Sequence, residues 1–398
     1  MNKTFLKAVP ILEKIEEAGF EAYFVGGSVR DYLLHKEIND VDIASSATPL
    51  EIKSIFRKTV DVGIEHGTVL VLVNGEGYEI TTFRTESGYS DFRRPDTVEF
   101  VRSLEDDLKR RDFTMNAIAM DKQCRLIDPF HGKKAILEKR IVTVGEPGER
   151  FREDALRMMR ALRFVSQLSF ELDAQAFESL RKNSCLLENI AVERIYTEFE
   201  KLLMGKSKQK ALKLLTASGL YTYLPGLASQ KEALERFQSL PLEKLTDPVV
   251  LWTLLLTECY VDNIETFLRK WKIPVKQIRE IQRLLIHIDN SSDFTKDRMA
   301  LFNAGVEEAV KAARIIAILG NEDGRKAESS VYQAFQELPI QSMIELAVNG
   351  NDLISWFDRR PGPWVKEELM GILEAVLNGE VRNRKEAVKE WLKHCKRM

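Results

Sequence analysis

The chain has 398 residues, of which 44% are hydrophobic and 30% charged, with a formal net charge of −2. That length permits two or more domains with a substantial core, and the composition is that of an ordinary globular protein rather than a disordered or fibrous one. The near-neutral balance excludes a global basic field for nucleic acid and leaves only local patches.

Targeting and redox signals are equally plain. The longest apolar stretch, at 249–256, is too short and interrupted to span a bilayer, so no membrane partner is expected. The charged amphipathic start (Lys3, Lys7, Glu13, Lys14, Glu16, Glu17) is not a signal peptide. Cys124, Cys185, Cys259 and Cys395 lie far apart without a Cys-x-x-Cys pair, which excludes a zinc finger and suits free thiols in a reducing cytoplasm.

In chain order, residues 1–145 carry the strand signals. Strands are predicted over 22–25, 40–44, 68–73, 79–84, 98–101 and 117–120, with Asn74-Gly75-Glu76-Gly77 as a hairpin turn. Gly26-Gly27 precede a helix-like run over 28–36, so backbone N–H groups and a helix N-terminus can cradle an anion there. Asp40 and Asp42, two apart on a predicted strand, project to one side. Two such acids repel unless a cation lies between them, and the hard cation that bridges carboxylate to phosphate is Mg²⁺. Glu79, on the strand after the hairpin, is a third carboxylate that could join them or stand exposed. Either glycine pair or acid pair alone fits an ordinary turn; together, with Arg30 and Asp31 between them, they point to nucleotidyl transfer.

The second cluster is Arg110-Arg111-Asp112-Phe113-Thr114-Met115-Asn116-Ala117. The planar fork of Arg111 suits triphosphate oxygens, and Asp112 and Asn116 can bond ribose hydroxyls; a capping and salt-bridge segment is the alternative. After Gly145-Glu146-Pro147-Gly148 the pattern is helical to the end, broken near 224–226, 273–274 and 360–363, with no fixed-length repeat.

In the third cluster Asp154, Arg157, Arg160 and Arg163 recur every third residue on one predicted helix, beside Leu156, Met159 and Leu162. A carboxylate only accepts hydrogen bonds and a guanidinium only donates. The amino and ring-nitrogen edges of cytosine and adenine match an Asp–Arg pair, whereas uracil and guanine would strand buried groups at about 1–3 kcal/mol each. A solvated, salt-bridged helix is the plainer reading. Two basic runs, Arg269–Arg283 and the last 19 residues, are either phosphate contacts or solvated helix faces.

These clusters resemble the class II tRNA nucleotidyltransferases, the bacterial CCA-adding enzymes. The resemblance rests on 26–42, 63–68, 79–84, 91–95, 110–117, 153–163 and 193–203, about the first half of the chain. It implies an α+β fold: an N-terminal nucleotidyltransferase head with a small mixed β-sheet (1–145), then an elongated all-α neck (146–220), body (221–310) and tRNA-binding tail (311–398). It further implies that Asp40 and Asp42 bind Mg²⁺, with Glu79 as a third catalytic carboxylate, while Gly26, Gly27, Arg30 and Arg111 hold the triphosphate. Asp154 and Arg157 would read the base, with Arg160 and Arg163 lining the same pocket. The segment 87–96 would be a loop assisting the switch from CTP to ATP. The reaction implied is attack of the tRNA 3′-OH on CTP, twice, and then on ATP, with two metal ions and release of pyrophosphate.

The rivals are a bacterial poly(A) polymerase, an enzyme adding only C-C or only A, and a noncatalytic tRNA-binding module on a dead head. A basic, aromatic motif expected of the polymerase is replaced here by Gly63-Ile64-Glu65-His66-Gly67, and the 91–95 segment argues against an A-only enzyme. The paired acids argue against a pure binding module. The five histidines form no His-Asp pair, so no phosphohydrolase of that type is expected. The sequence leaves monomer and homodimer open.

Overall fold

The computed structural model describes residues 2–63, 67–88, 97–290 and 292–395. The 64–66 part of the polymerase-discriminating stretch and the 91–95 motif fall outside them. The chain groups into two compact units, Met1–Pro248 with Cys259–Ile273, and Val249–Glu258 with Pro274–Met398.

The first unit opens with α1 (Lys3–Glu17), capped by Asn2, whose side chain accepts from Thr4 N at 3.1 Å. Its buried stripe of Phe5, Ala8, Ile11, Leu12 and Ile15 has helical spacing. Strand β1 (Ala22–Val25) runs directly into α2 (Gly26–Leu33). Then follow β2 (Asp42–Ser45), α3 (Pro49–Ile55), β3 (Thr59–Gly63), β4 (Thr68–Val73) and β5 (Glu76–Thr82). A hairpin, β6 (Arg84–Ser87) with β7 (Thr97–Phe100), leads to α4 (Leu104–Lys109), β8 (Ala119–Met120) and β9 (Leu126–Ile127). The main sheet has the order β3-β4-β5-β2-β1-β8-β9. It is mixed: β2 lies parallel to β5 and antiparallel to β1. The β4–β5 turn is Asn74-Gly75, both at positive φ, the pair that a two-residue hairpin of matching twist requires. One sheet face packs on α1, with Phe5 and Phe24 rings 4.7 Å apart. The other carries Val25, Ala44, Ala117 and Ala119 against Leu104, Leu108 and Val144.

The predicted strands 22–25 and 68–73 appear with those bounds. The 40–44 strand begins instead at Asp42, where its pairing begins: Asp42 is opposite Val25, the last residue of antiparallel β1, and beside Glu79 of parallel β5. Beyond Val25 the positive φ of Gly26 turns β1 into α2, so Asn39 and Asp40 have no β1 residue to pair with. The 28–36 helix likewise starts earlier, at the glycines themselves. The predicted 117–120 strand keeps only its second half, after a 3₁₀ turn at Thr114–Asn116. Strand β3 was not foreseen.

The helical remainder of this unit begins with α5 (Gly132–Leu137), α6 (Pro147–Glu153) and α7 (Leu156–Leu168), followed by α8 (Ala174–Asn183), α9 (Val192–Leu203) and α10 (Lys208–Ala217). Short strands β10 (Arg140–Ile141) and β11 (Glu171–Leu172) pair in parallel among them. Helix α7 is buried against α9 and α10. There Ser166 Oγ donates to Leu202 O at 2.6 Å, and a Cβ at Gly205 would fall 2.1 Å from that hydroxyl. Phe113 and Phe164 meet edge to face at 5.6 Å, joining α7 to the core beside the sheet.

The second unit is helical in its described residues. It includes an apolar helix of residues 249–258, then Val275–Asp289, Arg298–Leu319, Gly324–Gln336, Gly350–Phe357, Pro363–Asn378 and Lys385–His394. Among the described residues no helix is long and apolar enough to cross a membrane. Among the described residues the four cysteines form no disulfide.

Candidate nucleotide-binding site

A cleft of about 600 Å³ opens in the first unit between the sheet, α2 and α7. Its lining includes Gly26, Gly27, Arg30, Asp42, Arg111, Asp112, Asn116, Asp154, Arg157, Arg160 and Arg163. Eleven of the thirteen residues singled out from sequence thus surround one space. Asp40 and Glu79 are the two outside this lining.

Asp42 lines the cleft, and strand pairing sets Glu79 directly beside it on the same face of the sheet. The Asp42 carboxyl is raised above the usual carboxylate range. Loss of solvation is the main cause, opposed by Arg111 and reinforced by repulsion from Glu79 and Asp40. Asp40, ahead of the strand, lines a different depression with Lys3, Lys7, Asn39 and Tyr78. Gly26 is at φ +70°, and a Cβ there would come within 3.3 Å of Arg111 Nη1 and 3.4 Å of Asp42 Oδ2. The bare backbone therefore sits between an acid and a guanidinium, at the start of a helix.

Each cleft guanidinium is held by a carboxylate behind it. Buried Asp107 takes Arg110 through Oδ1 (3.0 Å from Nε) and Arg111 through Oδ2 (3.0 Å from Nη2). Arg30 pairs with Asp31 and donates to Asn116 Oδ1 at 2.7 Å. Asp112 is saturated: Oδ1 accepts from Phe113 N (2.7 Å) and Asn116 Nδ2 (3.1 Å), and Oδ2 accepts from Arg160 Nε (2.8 Å). Burial alone would raise its pKa, but Arg160 and Asn116 outweigh that and hold it at about 2. Arg163 lies 2.8 Å from Glu198, and burial lowers its pKa to about 10. Arg30, Arg160 and Arg163 surround the Phe164 ring, with centroid distances of 5.3, 5.6 and 4.0 Å.

Asp154 is not on the helix with the three arginines. It ends α6 in an extended conformation (φ −138°, ψ 104°), and Oδ1 accepts from Leu156 N at 3.1 Å, starting α7. The side chains of Asp154 and Arg157 turn to different partners. Asp154 accepts from Arg194 Nη2 at 2.8 Å, whereas Arg157 pairs with Glu153 and donates to Arg110 O at 3.1 Å. An acceptor and a donor therefore stand separately on the cleft wall, each oriented by its own partner.

Arg84, Thr68, Thr81, Phe164 and Gln167, to which no sequence motif assigns a role, also line the cleft. The motifs also leave out the orienting acids Asp107, Glu86 and Glu198. Asp107 could have been found, since it stands three and four residues before Arg110 and Arg111 on a short helix. Glu198 pairs across the fold, and no local pattern marks it.

Three family models match: a poly A polymerase head domain over 22–142, an RNA- and SrmB-binding site of polymerase A over 169–231, and a tRNA nucleotidyltransferase domain 2 over 243–392. The CCA-adding enzyme of Geobacillus sp. (strain WCH70) is 49% identical over 397 residues, 99% of this chain and 98% of that protein. The chain belongs to the CCA-adding enzymes. A CCA-adding enzyme of Listeria monocytogenes serotype 4b (strain CLIP80459) is 48% identical over 98% of this chain and 99% of its own. The Bacillus stearothermophilus CCA-adding enzyme, solved in complex with CTP, superposes with a TM-score of 0.91 at 45% identity, covering 100% of this chain and 98% of that one. The Thermotoga maritima CCA-adding enzyme complexed with tRNA shares the fold at 22% identity (TM-score 0.69). The resemblance read from the first half thus extends over the whole length, and the α+β class with its mixed sheet is as expected.

Proposed function

We propose that this chain adds C, C and A in turn to the 3′ end of tRNA, taking CTP and ATP and releasing pyrophosphate without a nucleic-acid template. One observation carries the reading: Asp42 lies in an arginine-lined cleft whose wall presents Asp154 and Arg157, and Glu79 stands beside it on the neighbouring strand. Gly26 and Gly27 offer backbone N–H groups to the triphosphate, and Arg30 and Arg111 offer guanidinium forks. Arg157 donates to the ring-nitrogen acceptor of the incoming base and Asp154 accepts from its amino group. Asp112 and Asn116 act through Arg160 and Arg30, which they hold in place.

The acids suit Mg²⁺ for a chemical reason. Among the described residues no set of three His, Cys, Asp or Glu side chains encloses a metal. Mg²⁺ takes one or two carboxylates and completes its shell with substrate phosphates and water. Asp40 and Asp42 would hold the ions, with Glu79 as the third carboxylate; bound there, Mg²⁺ lowers the charge barrier at the α-phosphate and at the attacking and leaving oxygens. We assign catalysis to residues 1–145, base reading to 146–220, the body to 221–310 and tRNA binding to 311–398, in a reducing cytoplasm.

The test is direct. The protein is incubated with tRNA lacking its last three nucleotides, Mg²⁺, and CTP and ATP singly and together, and products are resolved to one nucleotide. Growth by three residues that then stops supports the reading. Arrest after C-C, or a long A tail, identifies a partial enzyme or a poly(A) polymerase instead.

A further inference from the structure

Beside the catalytic floor lies a surface the nucleotide site does not use. Opposite Glu79 on β4 is Leu70, and opposite Leu70 on β3 is Val60, so one row crosses the sheet as Asp42, Glu79, Leu70, Val60. Leu72 extends the same face of β4, and Val62 is the extra residue of a bulge in β3. Val60 is 46% exposed, Val62 55% and Leu72 40%. Gly77 lies beneath the leucines: a Cβ there would approach Leu70 Cδ1 to 3.2 Å, so the missing side chain lets them lie flat on the sheet. The result is an apolar shelf that begins one strand from Glu79. Arg57 and Lys58, both exposed, stand where β3 begins.

We infer that this shelf receives the last nucleotides of the RNA primer, whose bases pack on Val60, Leu70 and Leu72. The inference rests on the nucleotidyl-transfer reading above. In an in-line displacement the attacking and leaving oxygens lie on opposite sides of the phosphorus. The proposed triphosphate ligands Gly26, Gly27 and Arg30 belong to the β1–α2 side of Asp42, and β5, β4 and β3 follow on the other side. The attacking 3′-OH therefore comes from the shelf side. Strands are spaced about 4.8 Å apart, so Leu70 and Val60 stand roughly 10 and 14 Å from the Asp42 strand, within reach of the final few nucleotides. An apolar surface suits a primer whose terminal base changes at each step, because van der Waals contact of aliphatic side chains with the flat face of a base tolerates any sequence. Arg57 and Lys58 supply positive charge at the outer edge, where the RNA backbone would continue.

The experiment uses the full chain with Val60→Glu and Leu72→Glu, singly and combined, and Leu72→Phe as the variant that keeps the apolar contact. Steady-state KM for trimmed tRNA is measured at saturating CTP, CTP affinity by calorimetry, tRNA affinity by gel shift, and mass by sedimentation. The glutamates should raise KM for tRNA roughly tenfold and leave CTP affinity within about twofold, while Leu72→Phe keeps or lowers KM. An unchanged KM overturns the inference, as does a parallel loss of CTP affinity, which marks a folding role. A change from dimer to monomer that tracks KM assigns the shelf to a second copy of the chain and also overturns it. If the unaltered protein adds no nucleotide to tRNA yet the glutamates weaken the gel shift, the transfer reading fails while the shelf stands.

Discussion

Asp112 is a buried charged joint of the cleft, and replacing it by asparagine tests whether the arginine wall is held by buried carboxylates. Both of its oxygens are occupied, by Phe113 N and Asn116 on one side and Arg160 on the other. Its pKa is held at about 2 against a reference of 3.8, a difference worth about 2.4 kcal/mol of stability at neutral pH. The sign follows from the direction of the shift. A carboxyl with a depressed folded pKa contributes fully above its unfolded pKa, and the contribution fades as pH falls toward the folded value. Asp112→Asn keeps an acceptor for Phe113 N but sets an amide N–H₂ against the Arg160 guanidinium. We expect the variant to lose about 2–3 kcal/mol at pH 7 and pH 5, and about half as much at pH 3, where the parent protein has surrendered much of the benefit. Urea unfolding across that range gives the difference, and hydrogen exchange at the Phe113 amide assigns it to the first unit. A loss below about 0.5 kcal/mol at pH 7, or one that stays constant down to pH 3, would show that the Asp112 charge does not hold the arginine wall.

Asp42→Asn should abolish transfer, by at least about 10²–10³-fold, with CTP still bound. Because the Asp42 carboxyl is raised, its ionised form costs stability above the unfolded pKa, so the same variant should melt higher at pH 7 and lose that gain in acid; an unchanged or lower melting temperature at pH 7 contradicts the assignment. Arg157→Ala should raise the relative kcat/KM for UTP or GTP by about 10–100-fold; sequencing of the added nucleotides checks this, and unaltered selectivity removes Arg157 from base reading. For Gly205→Ala, whose Cβ would meet Ser166 Oγ at 2.1 Å and the Ser166 carbonyl carbon at 2.6 Å, a loss of about 1–3 kcal/mol or more is expected from forced separation at the α7–α9 junction. A urea midpoint matching that of the unaltered protein would show that the junction yields without strain.

What the sequence revealed and what it withheld have physical reasons. Strands β1 and β4 were readable because each carries buried residues that must meet a core, and the Asn74-Gly75 turn because few other pairs take its backbone. Strand β3 shows Val60 and Val62 in alternation, yet that face is open to water, so the pattern gave no contrast between inside and outside. Asp154 misled for another reason. A three-residue spacing of Asp154, Arg157, Arg160 and Arg163 mimics one helix, but aspartate readily captures a nearby backbone N–H, and here it breaks α6 from α7. That signal was present and outweighed by periodicity. The partners of the cleft arginines were hidden more deeply. Glu198 meets Arg163, and Asp112 meets Arg160, across 35 and 48 positions of chain, distances at which only the finished packing decides who pairs.

The pairing of every cleft arginine has a consequence for turnover. A pocket of seven unopposed guanidinium groups would grip a polyanion hardest just when the reaction has finished with it. Here Asp31, Glu86, Asp107, Asp112, Glu153 and Glu198 each neutralise one or two of these cations at close range. The wall therefore offers directed N–H bonds with little net field behind them. On the proposed reading, such a surface would orient a triphosphate yet leave the departing diphosphate free to exchange with water. A catalyst that must empty and refill the same seat for each nucleotide gains speed from that weak hold.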